Sequence, residues 1–233
     1  LQMKMLNTGK GPGVQCLRAQ EDKLGYPKLM LEYALNTKNL TILEGMVDDL
    51  LHDESKVYGV KIKDKEYTAK AVILTTGTYM ESTILRGHNV TVAGPDGENP
   101  SLGLSPNLQK MGIKIIRLKT GTPQRIEKSS IDFTKTKIEY GDDKYWTFSF
   151  DNKIYYDKDK QVPCHLIYTQ PETHKIINEN LNKSSMYGGL SDIKGVGPRY
   201  CPSIEDKVVR FADKERHQLF LEPESIYFDD IYI

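Results

Sequence analysis

Apolar and polar positions between residues 40 and 68 predict a compact antiparallel β meander. Short β-prone segments at residues 40–43, 45–51, 57–62 and 66–68 are joined by polar turns. The next stretch, residues 71–78, is a continuous apolar run that ends in Thr-Thr-Gly-Thr. Such a run is typical of a strand that is covered on both faces of a parallel sheet. The turn after it leaves backbone groups open at the carboxyl end of the strand, where open α/β sheets bind ligands.

Helical spacing of apolar residues recurs in four places along the chain. The predicted helices cover residues 19–36, 102–111, 171–181 and the stretch that begins after Ser203. In the first helix, Gly25 and Pro27 predict a break. Ser101 is the expected N-cap of the second helix, and Gly112 is its expected C′ residue. Ser203 and Asp206 form the pattern of a capping box, which predicts where the last helix begins.

Further strands are predicted at residues 113–118, 162–168 and 217–222, and residues 82–100 predict a loop. Between residues 127 and 160 the chain is highly charged and rich in aromatic residues. The alternation of Trp146, Phe148 and Phe150 favours an antiparallel strand with one buried face. Aromatics between lysines are also found on surfaces that bind nucleic acid, but nearby acids offset the lysines, so we favour the core interpretation.

Composition and charge narrow the class of protein. The 233 residues carry 32 Lys+Arg and 32 Asp+Glu, so the zero net charge gives no indication of a nucleic-acid partner. No apolar run reaches the roughly 18 residues of a membrane helix, and we expect no signal peptide. Cys16, Cys164 and Cys201 are widely spaced and form neither a zinc pattern nor a disulfide framework. A reducing, cytoplasmic compartment fits this use of cysteine.

Cys201 is the strongest candidate for chemistry. It lies beside Arg199 and just ahead of the predicted helix that starts after Ser203. Helix N–H groups and a nearby guanidinium both favour a thiolate, so the pKa of Cys201 is expected to fall below the free value of about 8.5. The alternative is a buried structural cysteine in a tight loop, and the sequence alone leaves both interpretations open.

Two loops are further candidates for ligand contacts. Residues 6–13 are rich in glycine, and their exposed N–H groups are suited to an anion or ligand site. The turn from Lys119 to Arg125 is basic and rich in hydroxyl groups, which suits contacts to phosphate or carboxylate. Each is equally compatible with an ordinary flexible or solvated turn.

Several blocks of sequence resemble one family. They include Arg18-Ala-Gln20, Leu74-Thr-Thr-Gly-Thr78 and Arg117-Leu-Lys-Thr-Gly-Thr-Pro123, and the longest runs from Gly197-Pro-Arg-Tyr-Cys-Pro-Ser to Asp213. The block His217-Gln-Leu-Phe-Leu-Glu-Pro-Glu224 follows. In this order they resemble the GidA/MnmG family of tRNA uridine 5-carboxymethylaminomethyl modification enzymes. The resemblance spans essentially the whole chain.

The resemblance implies an α/β fold that is part of a two-dinucleotide-binding-domain flavoprotein (FAD/NAD(P)-binding), with an inserted α/β domain. It places the FAD-binding part at residues 1–120 and again at 203–233, and the inserted NAD or substrate domain at 121–202. It also implies a cytoplasmic homodimer that binds FAD. With an MnmE-type GTPase, such an enzyme modifies the wobble uridine of tRNA, using methylene-tetrahydrofolate, glycine or ammonium, and NADH.

Site residues follow from the resemblance only where motifs match. Val47 and Ser101 match positions that contact FAD, and Cys201 matches one of two catalytic cysteines. The segment 197–211 matches the nicotinamide-nucleotide segment. Its residues are Gly197, Pro198, Arg199, Tyr200, Cys201, Pro202, Ser203, Ile204, Glu205, Asp206, Lys207, Val208, Val209, Arg210 and Phe211.

The chain also departs from the family pattern. Gly9 and Gly13 replace the usual Ser and Ala, Gln124 replaces a proline, and Pro27 falls in a helix that normally lacks proline. The Gly-rich diphosphate loop, the second cysteine and the C-terminal helical region have no counterpart in these residues. We therefore expect an internal fragment that, by itself, is inactive and holds FAD weakly or not at all.

Two other functions are compatible with the sequence. One is a folate- and FAD-dependent tRNA uracil methyltransferase, which the block around Cys201 disfavours. Analysis of the modified nucleosides in tRNA would distinguish this activity from that of the GidA/MnmG family. The other is a non-catalytic module that binds tRNA or nucleotides.

Overall fold

A computed structural model of the chain describes residues 1–189 and 203–233. The helices are α1 (Gly25–Leu35), α2 (Leu104–Lys110), α3 (Pro171–Glu179) and α4 (Ile204–Arg210). The first seven strands are β1 (Gln2–Leu6), β2 (Cys16–Gln20), β3 (Asp49–His52), β4 (Val57–Ile62), β5 (Lys65–Thr68), β6 (Thr83–Arg86) and β7 (Asn89–Val92). The remaining strands are β8 (Arg125–Glu127), β9 (Lys137–Glu139), β10 (Cys164–Tyr168), β11 (Gln218–Pro223) and β12 (Asp230–Tyr232).

The chain folds into two compact units, each assembled from separate stretches of sequence. Unit 1 comprises Leu1–Ile42, Thr122–Lys175 and Lys207–Ile233, and unit 2 comprises Leu43–Gly121 and Ile176–Asp206. The domain division expected at residues 120 and 202 stays a prediction, since compactness alone does not show which part binds a cofactor.

Unit 1 contains an antiparallel five-stranded sheet with the strand order β8-β12-β11-β10-β9. Cys164 and Leu166 are buried on β10, as period-2 alternation requires of a strand with one covered face. Leu221 on β11 and Ile231 on β12 are buried as well. The strands predicted at 162–168 and 217–222 are therefore confirmed, with shifts of one or two residues at their ends.

The hairpin of β1 and β2 is joined to the rest of unit 1 by two backbone hydrogen bonds at the start of β1. The N–H of Val162 donates to the Leu1 carbonyl at 2.9 Å, and the N–H of Asp142 donates to the Met3 carbonyl at 2.9 Å. The pairing of Gln2 with Gln20 fixes the register of the hairpin. This register sets Gln2 and Gln20 side by side, and both side chains are buried.

Unit 2 contains the predicted meander, in the order β3-β4-β5 with antiparallel pairing. Its core is formed by Leu50 of β3 together with Leu104 and Leu108 of α2. The spacing of four residues places Leu104 and Leu108 on one face of the helix. The meander prediction is thus confirmed, except that residues 40–43 form no strand and the first strand begins at Asp49 rather than 45.

Residues 82–100 were expected to form a loop, and this prediction is wrong. They contain the hairpin of β6 and β7, which turns through Gly87 and His88. Gly87 adopts a φ of 55°, a left-handed conformation that glycine adopts without steric cost. The hairpin is short, and Val90 and Val92 are exposed, so its apolar pattern is weak.

The first residues of α1 and α2 differ from the predicted ones. Gly25 and Pro27 do not break a longer helix, because α1 begins at Gly25 and Pro27 lies in its first turn, where no N–H partner is lost. Ser101 is not the N-cap of α2, since its N–H donates to the Tyr79 carbonyl and Gly103 precedes the helix instead. Gly112 follows the helix with a φ of 86°, as predicted for a C′ glycine.

The apolar run at residues 71–78 does not form the strand that its pattern predicts, and neither do residues 113–118. Ile73 is 85% exposed, so this run is not covered on both faces, although Val72 packs against the core of Leu50, Leu104 and Leu108. Within residues 1–189 and 203–233 the named strands pair only in antiparallel fashion, and the one parallel bridge joins Met80 to Ser101. The apolar content of these two runs does not reveal whether another strand lies beside them to pair with.

The alternation of Trp146, Phe148 and Phe150 likewise does not produce a strand with a buried face. Phe150 is fully exposed, and Phe148 is 67% exposed. Trp146 is instead anchored locally, with its indole N–H donating to the Asp142 carboxylate at 2.8 Å. The core interpretation of this segment is wrong.

No helix in the two described ranges has the length and apolar character needed to cross a membrane.

Candidate functional site

The segment that carries Cys201 is only partly described. Gly197, Pro198, Arg199, Tyr200, Cys201 and Pro202 lie outside the described residues, so their predicted roles stay predictions. The description resumes at Ser203, two residues after the cysteine. The geometry around Ser203 and α4 is therefore the described part of this candidate site.

The predicted capping box at the start of α4 is confirmed. The Ser203 hydroxyl accepts a hydrogen bond from the Asp206 N–H at 3.3 Å, and the Asp206 carboxylate accepts one from the Ser203 N–H at 3.0 Å. The two residues thus satisfy each other's backbone donors, which is the physical basis of the motif. This box fixes the conformation of the chain at Ser203.

Asp206 is the centre of a buried polar cluster in unit 2. Its carboxylate pairs with Lys119 at 3.0 Å, and the Tyr187 hydroxyl donates to it at 3.0 Å. The Asp206 side chain is 4% exposed, and that of Lys119 is 11% exposed. Burial opposes ionisation, but the hydrogen bonds and the Lys119 charge outweigh it and lower the pKa of Asp206. Asp206 is therefore an ionised structural anchor, and its contact with a nicotinamide nucleotide stays a prediction.

The other residues of α4 belong to the predicted nucleotide segment, and several of them make contacts within the protein. Val208 is buried, and the Lys207 amine donates to the Gln218 carbonyl at 3.3 Å. Glu205 accepts a hydrogen bond from the Ser184 hydroxyl at 3.3 Å. Ile204, Val209, Arg210 and Phe211 complete the described part, and Val209 and Phe211 are exposed. Nicotinamide binding by this segment stays a prediction.

The basic turn from Lys119 to Arg125 directs its two terminal cations at carboxylates of the protein. Lys119 pairs with Asp206 within unit 2, as described above. Arg125 pairs with Glu224 within unit 1, at 2.7 Å from Nη2 and 3.0 Å from Nε. Both cations contact carboxylates of the protein itself, so a ligand contact at this turn stays a prediction.

The structure brings the two predicted FAD-contact residues into neighbouring segments of unit 2. Val47 precedes Asp48, whose carbonyl accepts a hydrogen bond from the Asn107 side chain at 3.1 Å. A Cβ on Gly103 would lie 3.0 Å from the same carbonyl, so glycine permits this close approach. Ser101, two residues earlier, is buried and hydrogen-bonded to Tyr79.

A buried carboxylate oxygen next to Ser101 supports a polar ligand at this edge. The N–H of Glu81 donates to the Ser101 carbonyl at 2.8 Å, and Glu81 adopts a φ of 48°. Its Oε1 atom is buried and has no hydrogen-bond partner among the described residues. A buried acceptor of this kind calls for a donor, and the hydroxyl groups of a dinucleotide are suitable donors. The residues at this edge therefore fit a flavin nucleotide.

The sequence did not predict a second polar network, which lies in unit 1. Arg18 donates to Glu222 at 2.6 Å, and the Tyr232 hydroxyl donates to the same carboxylate. Burial, followed by contact with Glu222, raises the pKa of Tyr232. The buried thiol of Cys164 lies 3.3 Å from the Gln20 side-chain oxygen, and burial raises its pKa to about 11. Cys164 is thus a neutral, buried thiol.

The sequence contains a pattern that indicates this polar network. The blocks Arg18-Ala-Gln20 and His217 to Glu224 carry charged and amide side chains at alternate positions of β2 and β11. Polar residues repeated with the period of a strand indicate that a polar set shares one face. The sequence did not show which strands would be neighbours.

A cavity of about 290 Å³ opens beside this network, at the end of β2. Its walls are residues 20, 21 and 23, Arg125 of β8, Pro223 and Glu224, and Tyr232 of β12. Glu224 is held between Arg125 and Lys23, whose amine lies 3.5 Å from the second carboxylate oxygen. Of these residues, only Arg125 belongs to a stretch that the sequence indicated as a candidate for ligand contacts.

Comparison with known proteins identifies the family. The family profile described as glucose inhibited division protein A (GidA) matches residues 1–233. The chain is 53% identical to the tRNA uridine 5-carboxymethylaminomethyl modification enzyme MnmG of Acholeplasma laidlawii, and 49% identical to that of onion yellows phytoplasma. Both alignments cover 100% of the chain and 37% of the relative, so the chain spans just over a third of these relatives.

The solved structure of Aquifex aeolicus GidA in the form I crystal aligns with a TM-score of 0.83 and 44% identity. That alignment covers 100% of this chain and 39% of the Aquifex chain. A second Aquifex GidA structure, from the form II crystal, aligns with a TM-score of 0.81. The predicted α/β fold class is confirmed by these matches, and the chain belongs to the GidA family.

Proposed function

We propose that the protein containing this chain modifies the wobble uridine of tRNA at C5, adding an aminomethyl-type or carboxymethylaminomethyl group. The observation that carries this proposal is the identity of 53% to a relative named as a tRNA uridine modification enzyme, over the full length of the chain. Fold alone would not support a reaction, because one fold hosts many activities. Here the similarity extends through the segment that carries Cys201.

FAD is the proposed resident cofactor, and Val47 and Ser101 contribute to its site. The buried Glu81 oxygen next to Ser101, which has no hydrogen-bond partner among the described residues, supports a ligand there. FAD supplies two-electron redox chemistry when it is bound. NADH is the proposed reductant and residues 197–211 its segment, while methylene-tetrahydrofolate is the proposed carbon donor.

Cys201 is the proposed catalytic residue, in one of two roles. As a nucleophile, its thiolate would bond to C6 of the uracil, and the electron pair of the C5–C6 double bond would make C5 nucleophilic. C5 would then bond to the methylene carbon as that carbon leaves the folate nitrogen, and loss of the C5 proton would restore the double bond and expel the thiolate. As an acid or base, it would transfer a proton on the ring. In either role the base must leave its stack to reach the thiol.

The polar cluster around Asp206 supports either role of Cys201, because it holds the chain that follows this cysteine in place. Ser203 follows Cys201 by two residues, and its backbone N–H and hydroxyl are both bonded to Asp206. Lys119 and Tyr187 in turn hold the Asp206 carboxylate. The chain that leaves the cysteine is therefore attached to a buried anchor.

The remaining proposed partners are tRNA, an MnmE-type GTPase and a second copy of the protein, in the cytoplasm.

The test is Cys201→Ser in the full-length protein, with Cys16→Ser as its matched control, because Cys16 is exposed. Modification of tRNA, measured by mass spectrometry of its nucleosides, should be lost in Cys201→Ser and retained in Cys16→Ser. Flavin content should be equal in all three proteins. A Cys201→Ser protein that modifies tRNA at the wild-type rate would show that the catalytic assignment is wrong.

A further inference from the structure

The backbone of Glu81 is held at both its N–H and its carbonyl by other segments of unit 2. The N–H donates to the Ser101 carbonyl at 2.8 Å, and the carbonyl accepts a hydrogen bond from Nη2 of Arg117 at 2.9 Å. Just before Glu81, Met80 forms a parallel bridge with Ser101, and the Ser101 N–H donates to the Tyr79 carbonyl at 2.9 Å. All of these residues belong to unit 2. The position of Glu81 is therefore fixed by the fold of this unit alone.

Glu81 adopts a backbone conformation that is uncommon for glutamate. Its φ of 48° lies in the left-handed region, where the Cβ of an ordinary residue crowds the following carbonyl oxygen. Gly77, four residues earlier, has a φ of 58° and adopts this region without that crowding. Strained backbone of this kind clusters at active sites and ligand clamps. Since glycine would fit this backbone with less strain, the presence of glutamate points to a role for its side chain.

The side chain of Glu81 supplies a hydrogen-bond acceptor without a donor. Its Oε1 atom is buried and has no partner among residues 1–189 and 203–233. An unpaired buried acceptor is costly, and buried polar groups are almost always hydrogen-bonded. A ligand that donates to Oε1 would remove this cost.

The carboxylate also restricts the chemistry of the donor. A phosphate offers only acceptor oxygens and negative charge, so it would be repelled, whereas a neutral hydroxyl can donate. Ser101, which binds the Glu81 N–H, matches a position that contacts FAD in the family. An acidic side chain that accepts a ribose hydroxyl is a recurrent feature of dinucleotide sites. Glu81 therefore suits the sugar part of a nucleotide rather than its phosphates.

We propose that Glu81 accepts a hydrogen bond from a hydroxyl group of bound FAD, and that it thereby selects a hydroxyl-bearing part of the nucleotide. This inference rests on the proposed function, which supplies FAD as the cofactor. FAD carries such hydroxyls in two places, on the ribose of its adenosine and on the ribityl chain of its flavin half. The two sources share one chemistry, and the experiment separates them with the two halves of FAD.

The test compares Glu81→Gln with wild type in the full-length, flavin-free protein. Glutamine keeps the size of the side chain and removes its charge, so it weakens the acceptor with little change in packing. Glu66→Gln is the matched control, because Glu66 is an exposed residue of β5 in the same unit. Calorimetric titration gives Kd for FAD, and also for ADP and FMN, which carry the ribose and the ribityl chain separately.

Glu81→Gln should weaken FAD binding about tenfold, because a hydrogen bond to a charged acceptor is stronger than one to a neutral acceptor. The control should bind FAD as wild type does. A loss that extends to ADP alone assigns the bond to the ribose, and a loss that extends to FMN alone assigns it to the ribityl chain. A Kd for FAD equal to that of the control overturns the proposal. In that case, a lower Tm of the flavin-free variant would show that the donor to Oε1 comes from the protein.

A second variant, Glu81→Gly, separates binding from folding. It removes the carboxylate and relieves the left-handed backbone, so the flavin-free protein should melt at or above the wild-type Tm while FAD binding weakens at least as much as in Glu81→Gln. If Glu81→Gly melts lower and binds FAD normally, the glutamate serves the fold alone and the proposal is overturned. Wild-type protein that binds no FAD would refute the proposed cofactor and with it this role of Glu81, whereas an unchanged Kd in Glu81→Gln would refute the role alone.

Discussion

At the scale of single residues, the best-defined interaction is the ion pair between Lys119 and Asp206. Both side chains are nearly buried, and breaking a buried pair leaves a charge without compensation. By contrast, the surface pair of Lys135 and Asp132 is largely exposed and contributes little. The two pairs therefore form a matched comparison of buried and exposed electrostatics.

We predict that Lys119→Met lowers the free energy of unfolding by about 3–5 kcal/mol, because Asp206 loses its cation in a buried site. Lys135→Met should change it by less than about 1 kcal/mol. Urea denaturation of the two variants measures both values. Equal, small effects would mean that Asp206 is solvated and that the cluster does not anchor α4.

Thiol chemistry provides a second prediction at the residue scale. Cys16 is exposed, whereas Cys164 is buried and burial raises its pKa to about 11. Since the thiolate is the reactive species, iodoacetamide at pH 8 should modify Cys16 in the native protein and leave Cys164 unmodified until the protein is unfolded. Peptide mass spectrometry gives the result for each cysteine. Labelling of Cys164 at the rate of Cys16 would show that the network around it is open to solvent.

At the scale of elements, the junction of α3 and β11 contains a buried histidine, His217, that predicts a dependence of stability on pH. The His217 ring is buried, lies 5.2 Å from the ring of His174, and its Nε2 has no hydrogen-bond partner among the described residues. Thr169 connects the two residues, because its hydroxyl oxygen accepts the backbone N–H of His217 at 2.8 Å and lies 2.8 Å from His174 Nε2. Burial lowers the pKa of His217, and His174, Lys207 and Lys214 lower it further against the opposing charge of Asp213.

The sign of the pH dependence follows from this shift. Below about pH 6.5 the unfolded chain binds a proton at His217 more readily than the native protein does, so protonation favours unfolding. The stability that depends on a neutral His217 should be complete above about pH 6.5 and be lost as the pH falls through its lowered native pKa. Thermal unfolding between pH 7.5 and 5 should show a smaller loss for His217→Leu than for wild type. Parallel curves would contradict the assignment to His217.

The elements that the sequence predicted well are those whose determinants are local. The capping box of Ser203 and Asp206 contains both partners of its own hydrogen bonds, and β4 shows alternation within a meander whose turns are short. The apolar run at 71–78 failed because a strand needs a neighbouring strand, which its own residues do not reveal. Phe148 and Phe150 failed for a related reason, since alternation indicates a common face but not an element that covers it.

The cavity lined by Lys23, Arg125 and Glu224 illustrates why sites are harder to predict from sequence than secondary-structure elements are. These three residues come from three separate stretches and meet only because β2, β8 and β11 end near one another. Each alone is an ordinary charged residue. The sequence indicated Cys201, Ser203 and Asp206 as candidates because they lie within one motif, and it did not predict a set of residues that only the fold assembles.

At the scale of the whole molecule, the chain contains two units whose polar centres differ. Unit 2 carries the cluster of Asp206 and the edge with Val47 and Ser101, and unit 1 carries the network of Arg18, Glu222 and the neighbouring cavity. Family membership is shown over residues 1–233, while the reaction is inferred from relatives that this chain spans in part. The reaction itself is therefore the claim that most needs a direct measurement.

That measurement is the nucleoside content of tRNA from cells in which the gene has been deleted, compared with cells that carry the wild-type or Cys201→Ser gene. Mass spectrometry of digested tRNA should show that the deletion loses the C5-modified wobble uridine, that the wild-type gene restores it and that the Cys201→Ser gene does not. Unchanged amounts of this nucleoside in the deletion strain, or loss of 5-methyluridine in its place, would contradict the proposed function.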